Sequence, residues 1–123
     1  NSEIINFFHY RNPLIHPTVM FRTDVFNIIG YYNENFNTDQ DLELWGRSIN
    51  AEVGINNIQK PLLYHRVSGI HNRRTRIQAI RNQILARRLI PAKTLKFKIL
   101  KFLAICFRFM PKQIIKYSYK KLR

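Results

Sequence analysis

Every acidic residue of this 123-residue chain lies before position 53, and residues 73–123 carry sixteen Lys and Arg with no Asp or Glu among them. Such a segment cannot neutralise itself, so whatever it folds into must turn its cations to solvent or to an anionic partner. Residues 1–72 hold only five Lys and Arg beside all seven Asp and Glu. Carboxylates able to do acid–base work are therefore confined to the first part, and the electrostatic boundary falls near His71 and Asn72.

A hydrophobic content of 46% supports a folded body of one modest domain with an appendage. One cysteine, Cys106, excludes an internal disulfide and a cysteine-based zinc site, and it is expected to be a buried apolar residue. The chain opens Asn1-Ser2-Glu3 with no basic and apolar leader, so no targeting peptide is expected and the sequence reads as a fragment. Its longest apolar run, Phe102 to Phe107, is far below the ~18 residues of a spanning helix.

Along the chain, Glu3 to Tyr10 predicts an extended segment, Leu14 to Phe21 a buried strand, and Ile58 to Val67 a strand-like return. Pro13 and Pro17 bias Asn12 and His16 toward extended geometry. Thr23 or Asp24 can cap a short helix through Ile29, with Gly30 suited to the left-handed position that ends it. Leu42, Trp45 and Ile49 recur at helical spacing, so Asp41 to Asn50 is expected to be a helix with one buried stripe. Beyond Asn72, residues 76–90 carry Ile77, Ile80, Ile84, Leu85 and Leu89 with arginines between them, and Pro91 stops that helix. A second helix is expected from Thr94 to Met110, stopped by Pro111, with Leu95, Ile99, Phe102, Leu103, Cys106 and Met110 on one arc.

The chemistry-bearing run is N-T-D-Q-D-L-E-L-W-G-R, Asn37 to Arg47. Asp41 can act as a base from the start of its helix, or can serve as the fourth residue of a Thr38-x-x-Asp41 capping box that satisfies helix amides. Glu43, about 200° further round the helix, faces elsewhere, and Arg47 is expected to pair with a carboxylate. His16 and His65 lack a second ligand at metal spacing, which leaves zinc unsupported.

Four blocks in order carry a resemblance: R-N-P-L-I-H-P-T-V-M-F-R from Arg11, G-Y-Y-N-E-N-F from Gly30, the run just described, and P-L-L-Y-H-R-V from Pro61. Together they resemble the C-terminal half of family-two, inverting nucleotide-sugar glycosyltransferases of the GT-A fold. The resemblance implies an α/β, Rossmann-like fold, with residues 1–72 as the acceptor-side part of the catalytic domain and 73–123 as a basic amphipathic helical extension. It implies Asp41 as the general base, in the place of the aspartate of an E-D-Y-D-L-W-like motif. His16, Arg22, Trp45 and Arg66 become candidate substrate contacts. The triplet Asp39-Gln40-Asp41 is literally D-x-D, but it opens a helix before Leu-Trp, unlike the family's metal motif, so no metal ligand is assigned here. A divalent metal, Mg or Mn, is implied for the complete enzyme, with ligands mostly outside this chain. The implied partners are a nucleotide-sugar donor and a saccharide or lipid-linked acceptor in bacterial surface-polysaccharide or lipopolysaccharide synthesis. Gln40, Leu42 and Tyr31 depart from the pattern, standing where the family often has glutamate, an aromatic and glycine.

For the tail, cations interleaved with Phe97, Phe102, Phe107 and Phe109 suit an anionic membrane surface or a nucleic acid. The one-sided aliphatic arc favours the membrane, and with it a cytoplasmic protein held peripherally on the inner face of the cell membrane. A nucleic-acid-binding module, a stripe that packs on a missing catalytic half, and an inactive glycosyltransferase remnant stay open as alternatives.

Overall fold

The computed structural model describes residues 2–64, 77–111, 113–114 and 117–118. Among these residues the helices with described bounds are α1 Ser2–Phe7, α2 Val25–Ile29, α3 Gln40–Asn50, α4 Ile77–Arg88 and α5 Leu95–Cys106. Two 3-10 turns, His16–Thr18 and Phe107–Phe109, also occur among the described residues.

No strand occurs among the described residues, which overturns the α/β, Rossmann-like expectation. Each of the three expected extended segments fails for a local reason. Within Glu3 to Tyr10, Ile4 and Ile5 of α1 and Phe8 in the turn that follows it pack on the core, an arrangement that a short apolar run does not reveal against a strand's. Within Leu14 to Phe21, Pro17 falls at the start of a 3-10 turn, where its missing N–H is not needed. The Thr18 amide and hydroxyl both donate to the Ile15 carbonyl there, at 2.8 and 2.7 Å. Residues 58–64 form no ladder, and the remainder of that expected strand lies outside the described residues.

The helices fared differently. α2 ends on Gly30 at φ 72°, as its sequence predicts, although neither Thr23 nor Asp24 makes a side-chain cap. α3 begins one residue before the expected start and ends at the expected Asn50. Its burial is wider than one stripe, because Leu42, Glu43, Leu44, Trp45, Gly46, Ser48 and Ile49 are all buried. α3 is the central element, enclosed on one side by Phe8, Ile29 and Phe21 and on another by α4.

The seam between α3 and α4 depends on small residues. A Cβ at Gly46 would stand 2.9 Å from Leu89 Cβ and 3.2 Å from the Ala86 carbonyl oxygen, so only glycine lets the two helices approach this closely. Ala79 and Ala86 are buried on the same face of α4, and so are Asn82, Gln83 and Arg87. The larger apolar side chains of α4 point the other way: Ile77 is 87% exposed. Thus α4 turns a small and polar face inward, while on its other side Ile77 is exposed and Ile80 and Ile84 are half-buried.

α5 starts at Thr94, whose hydroxyl accepts from the Phe97 amide, and has no buried residue. It is fastened by the His9 ring stacked on Phe97, centroids 4.2 Å apart, and by Lys101 Nζ donating to the Ile90 carbonyl at 2.8 Å. Cys106 is exposed rather than buried, since it shares the outward arc of Leu95, Ile99 and Phe102.

Candidate functional site

The turn Asn37–Asp39 and the first residues of α3 are held from a distance. Asn82 of α4 donates from Nδ2 to the Thr38 carbonyl at 3.1 Å and to its hydroxyl oxygen at 3.2 Å, and Gln83 Nε2 donates to Asp39 Oδ1 at 2.5 Å. Asp39 takes left-handed backbone geometry, φ 57°, a conformation that a non-glycine residue keeps only when its surroundings over-determine it. These three bonds from the polar inner face of α4 do so.

No side-chain cap closes the N-terminus of α3, so Asp41 does not serve as the closing residue of a capping box. Its half-buried carboxylate accepts instead from Asn12 Nδ2, at 3.1 Å on Oδ2. Asn12 is itself fixed by its own turn, because its Oδ1 accepts from the Leu14 amide at 3.2 Å across Pro13. This is the Asx geometry that an Asn-Pro pair favours. Among the described residues no hydrogen bond reaches Oδ1 of Asp41, so the carboxylate is oriented through Oδ2.

Tyr32 completes the group. Its hydroxyl lies 2.8 Å from His16 Nε2, and burial, followed by the negative charge of Asp41, pushes the phenol above its ordinary pKa. The hydroxyl therefore keeps its proton at neutral pH as a hydrogen-bonding group beside the carboxylate. A salt bridge delivers Tyr32 to this position. Arg47 holds Glu43 through two bonds of 2.8 Å, as the sequence predicts for a carboxylate partner, and the same guanidinium donates to the Ile29 and Tyr31 carbonyls. One buried acid and one arginine thus clamp the α2–Gly30 turn onto α3.

Of the residues singled out from sequence, Asp41 and His16 are brought into one neighbourhood through Tyr32. Arg22 is exposed on the approach to α2, with no hydrogen bond to the Asn12–Asp41 pair among the described residues. Trp45 is 2% exposed and stacks on Phe21 at 5.3 Å, so its ring is committed to the core in this structure and offers no open face. Arg66 and His65 lie outside the described residues. Asn12 and Tyr32 were not anticipated as members of the group. The Asn-Pro pair was a visible signal for the first; for the second there was only its place two residues after Gly30.

Among the described residues no three His, Cys, Asp or Glu side chains gather at ligand distance, and Oδ1 of Asp39 is occupied by Gln83. These residues do not fit a divalent metal, and no chemical step is routed through one. Two surface grooves, of about 420 Å³ and 630 Å³, are lined by other residues. No helix among the described residues is long and apolar enough to cross a membrane. Comparison of the chain with protein families, with curated proteins and with solved structures gives no match.

Proposed function

We propose that this chain carries the base-bearing, acceptor-side part of an inverting glycosyltransferase that moves a sugar from a nucleotide-sugar donor to a saccharide or lipid-linked acceptor. It works in surface-polysaccharide or lipopolysaccharide synthesis, as a peripheral protein at the inner face of a bacterial membrane. In the reaction, Asp41 Oδ1 takes the acceptor hydroxyl proton as that oxygen attacks the anomeric carbon. The bond from that carbon to the diphosphate oxygen breaks, the nucleoside diphosphate leaves with the electron pair, and the configuration inverts. Asn12 holds the other carboxylate oxygen, and the Tyr32–His16 pair supplies hydrogen-bonding groups for the acceptor. The donor and any divalent metal are held by groups outside the described residues.

One observation supports the base role above all: Asp41 is released from capping its helix, yet one of its oxygens is fixed by Asn12. The test is Asp41→Asn in the sugar-transferring assembly that contains this chain, followed by nucleoside diphosphate release from a panel of UDP- and GDP-sugars. General-base loss lowers the rate ~10²- to 10⁴-fold with the melting temperature unchanged. A variant that melts earlier but transfers at the normal rate would show a structural aspartate and end the proposal.

A further inference from the structure

The isoleucine face of α4 is only partly covered among the described residues: Ile77 is 87% exposed, and Ile80 and Ile84 are half-buried. Ile77, Ile80, Ile84 and Leu85, together with Phe109 of the second 3-10 turn, line an open groove of about 630 Å³ into which Arg81 and Arg88 also reach. Beside it, α5 leaves Leu95, Ile99, Phe102 and Leu103 between 49% and 73% exposed. At about 100° per residue, Lys96 and Lys98 stand on the two flanks of that arc, and both are exposed. Two neighbouring helices therefore expose apolar side chains and cations together, in a stretch of sequence with no acid.

We infer that the outward face of α4, joined to that of α5, is a docking surface for an anionic phospholipid bilayer. The inference rests on the peripheral placement proposed above, gives it a surface, and does not depend on sugar transfer. The chemistry selects this occupant. Isoleucine and leucine enter the acyl boundary, while arginine and lysine stems run along it and place their charges at headgroup phosphates. A second copy of the chain would bring like charges face to face, on a molecule whose net charge is +14. A nucleic acid would satisfy the cations but gain little from aliphatic side chains, which offer no stacking platform.

α4 contributes to this surface because its inner face is already committed. Asn82, Gln83 and Arg87 bind Thr38, Asp39 and the Phe8 carbonyl, so the helix cannot rotate its isoleucines inward without breaking the turn that carries Asp41. Membrane docking and the candidate site thus use opposite faces of one helix.

The experiment is flotation of the full chain with vesicles of phosphatidylglycerol and phosphatidylcholine, and with phosphatidylcholine alone. Binding is expected only to the anionic vesicles. Ile77→Ser with Ile84→Ser should weaken it about tenfold, and Arg81→Ala with Arg88→Ala about fivefold for each charge removed. Both pairs reach solvent, and an unchanged far-UV circular dichroism spectrum confirms that they fold. If the α4 variants bind as wild type while Phe102→Ser with Leu103→Ser abolishes binding, α5 acts alone: the peripheral placement stands and the α4 surface is refuted. If the wild-type chain binds no anionic vesicle, or binds RNA in preference to it, both are refuted. A dimer that the Ile77 and Ile84 changes dissociate would also overturn the inference.

Discussion

The seam between α3 and α4 and the attachment of α5 are both helix contacts in one small molecule, yet they are built on different physics. At the seam, Gly46 meets Ala86 with no space left over, and polar side chains of α4 satisfy backbone groups up to 79 residues away in sequence. At α5 nothing is fully buried, and its fastenings include a ring stack and a lysine-to-carbonyl bond. The first contact fixes geometry, whereas the second attaches a helix while leaving most of its apolar surface free. A helix that must position a carboxylate needs the former, and a helix that must meet a second surface needs the latter.

Breaking the seam should produce the largest effect. Arg87 is 2% exposed and donates to the Phe8 carbonyl at 2.7 Å, so Arg87→Ala removes a large buried side chain and strands a buried acceptor. We expect a loss of roughly 3 kcal/mol in denaturant unfolding. Lys96→Ala on α5 is the contrast and should stay within about 0.5 kcal/mol. Equal losses for the two variants would erase the distinction between the regions.

Gly46→Val probes the same seam by overfilling it. The added carbons would meet Leu89 and the Ala86 backbone, and separating the helices should cost about 1–3 kcal/mol. Because Asn82 and Gln83 ride on α4, the change should also disturb Thr38 and Asp39, visible as shifted amide resonances at the start of α3. Chemical shifts altered at α5 alone would contradict this route.

The smallest effect concerns pH and belongs to α5. Burial, then the charges of Lys101 and Arg87, hold the His9 imidazole below its ordinary pKa of 6.5. The folded state therefore binds the His9 proton less readily than the unfolded state, and its contribution to stability is fully present above pH 6.5. That contribution declines as pH falls below 6.5 toward the lowered folded value, where His9 becomes charged beside two cations. Hydrogen exchange should accelerate in α5 between pH 7.5 and pH 5.5, after correction for the intrinsic rate, while α3 stays protected. His9→Phe, which keeps the stack on Phe97 and removes the charge, should abolish the difference.

Legibility followed the range of the interaction. The helix expected over 41–50, a helix end ahead of Pro91, the positive φ of Gly30 and the pairing of Arg47 with a carboxylate are settled within a turn or two of chain. Each is visible in residue spacing. The helix expected to run to Met110, by contrast, ends as an α-helix at Cys106 and passes into a 3-10 turn. Asp41 was legible as a chemical group, but its escape from capping and its bond to Asn12, 29 residues away, were not. The extended segment expected at 3–10 and the strand expected at 14–21 failed because apolar runs this short carry no period of their own, and a neighbouring surface decides between helix and strand.

The basic tail shows the same division. Its charge, its two helices and its apolar content were set by the sequence, since an acid-free segment has no internal means of neutralisation. Which side of α4 faces in was decided only by tertiary structure. Thr38, Asp39 and the Phe8 carbonyl needed partners, and the narrow gap at Gly46 admitted alanines but not isoleucines. Unsatisfied buried polar groups and steric overlap each outweigh the gain from covering a few isoleucines, and both arise from residues far apart in the chain.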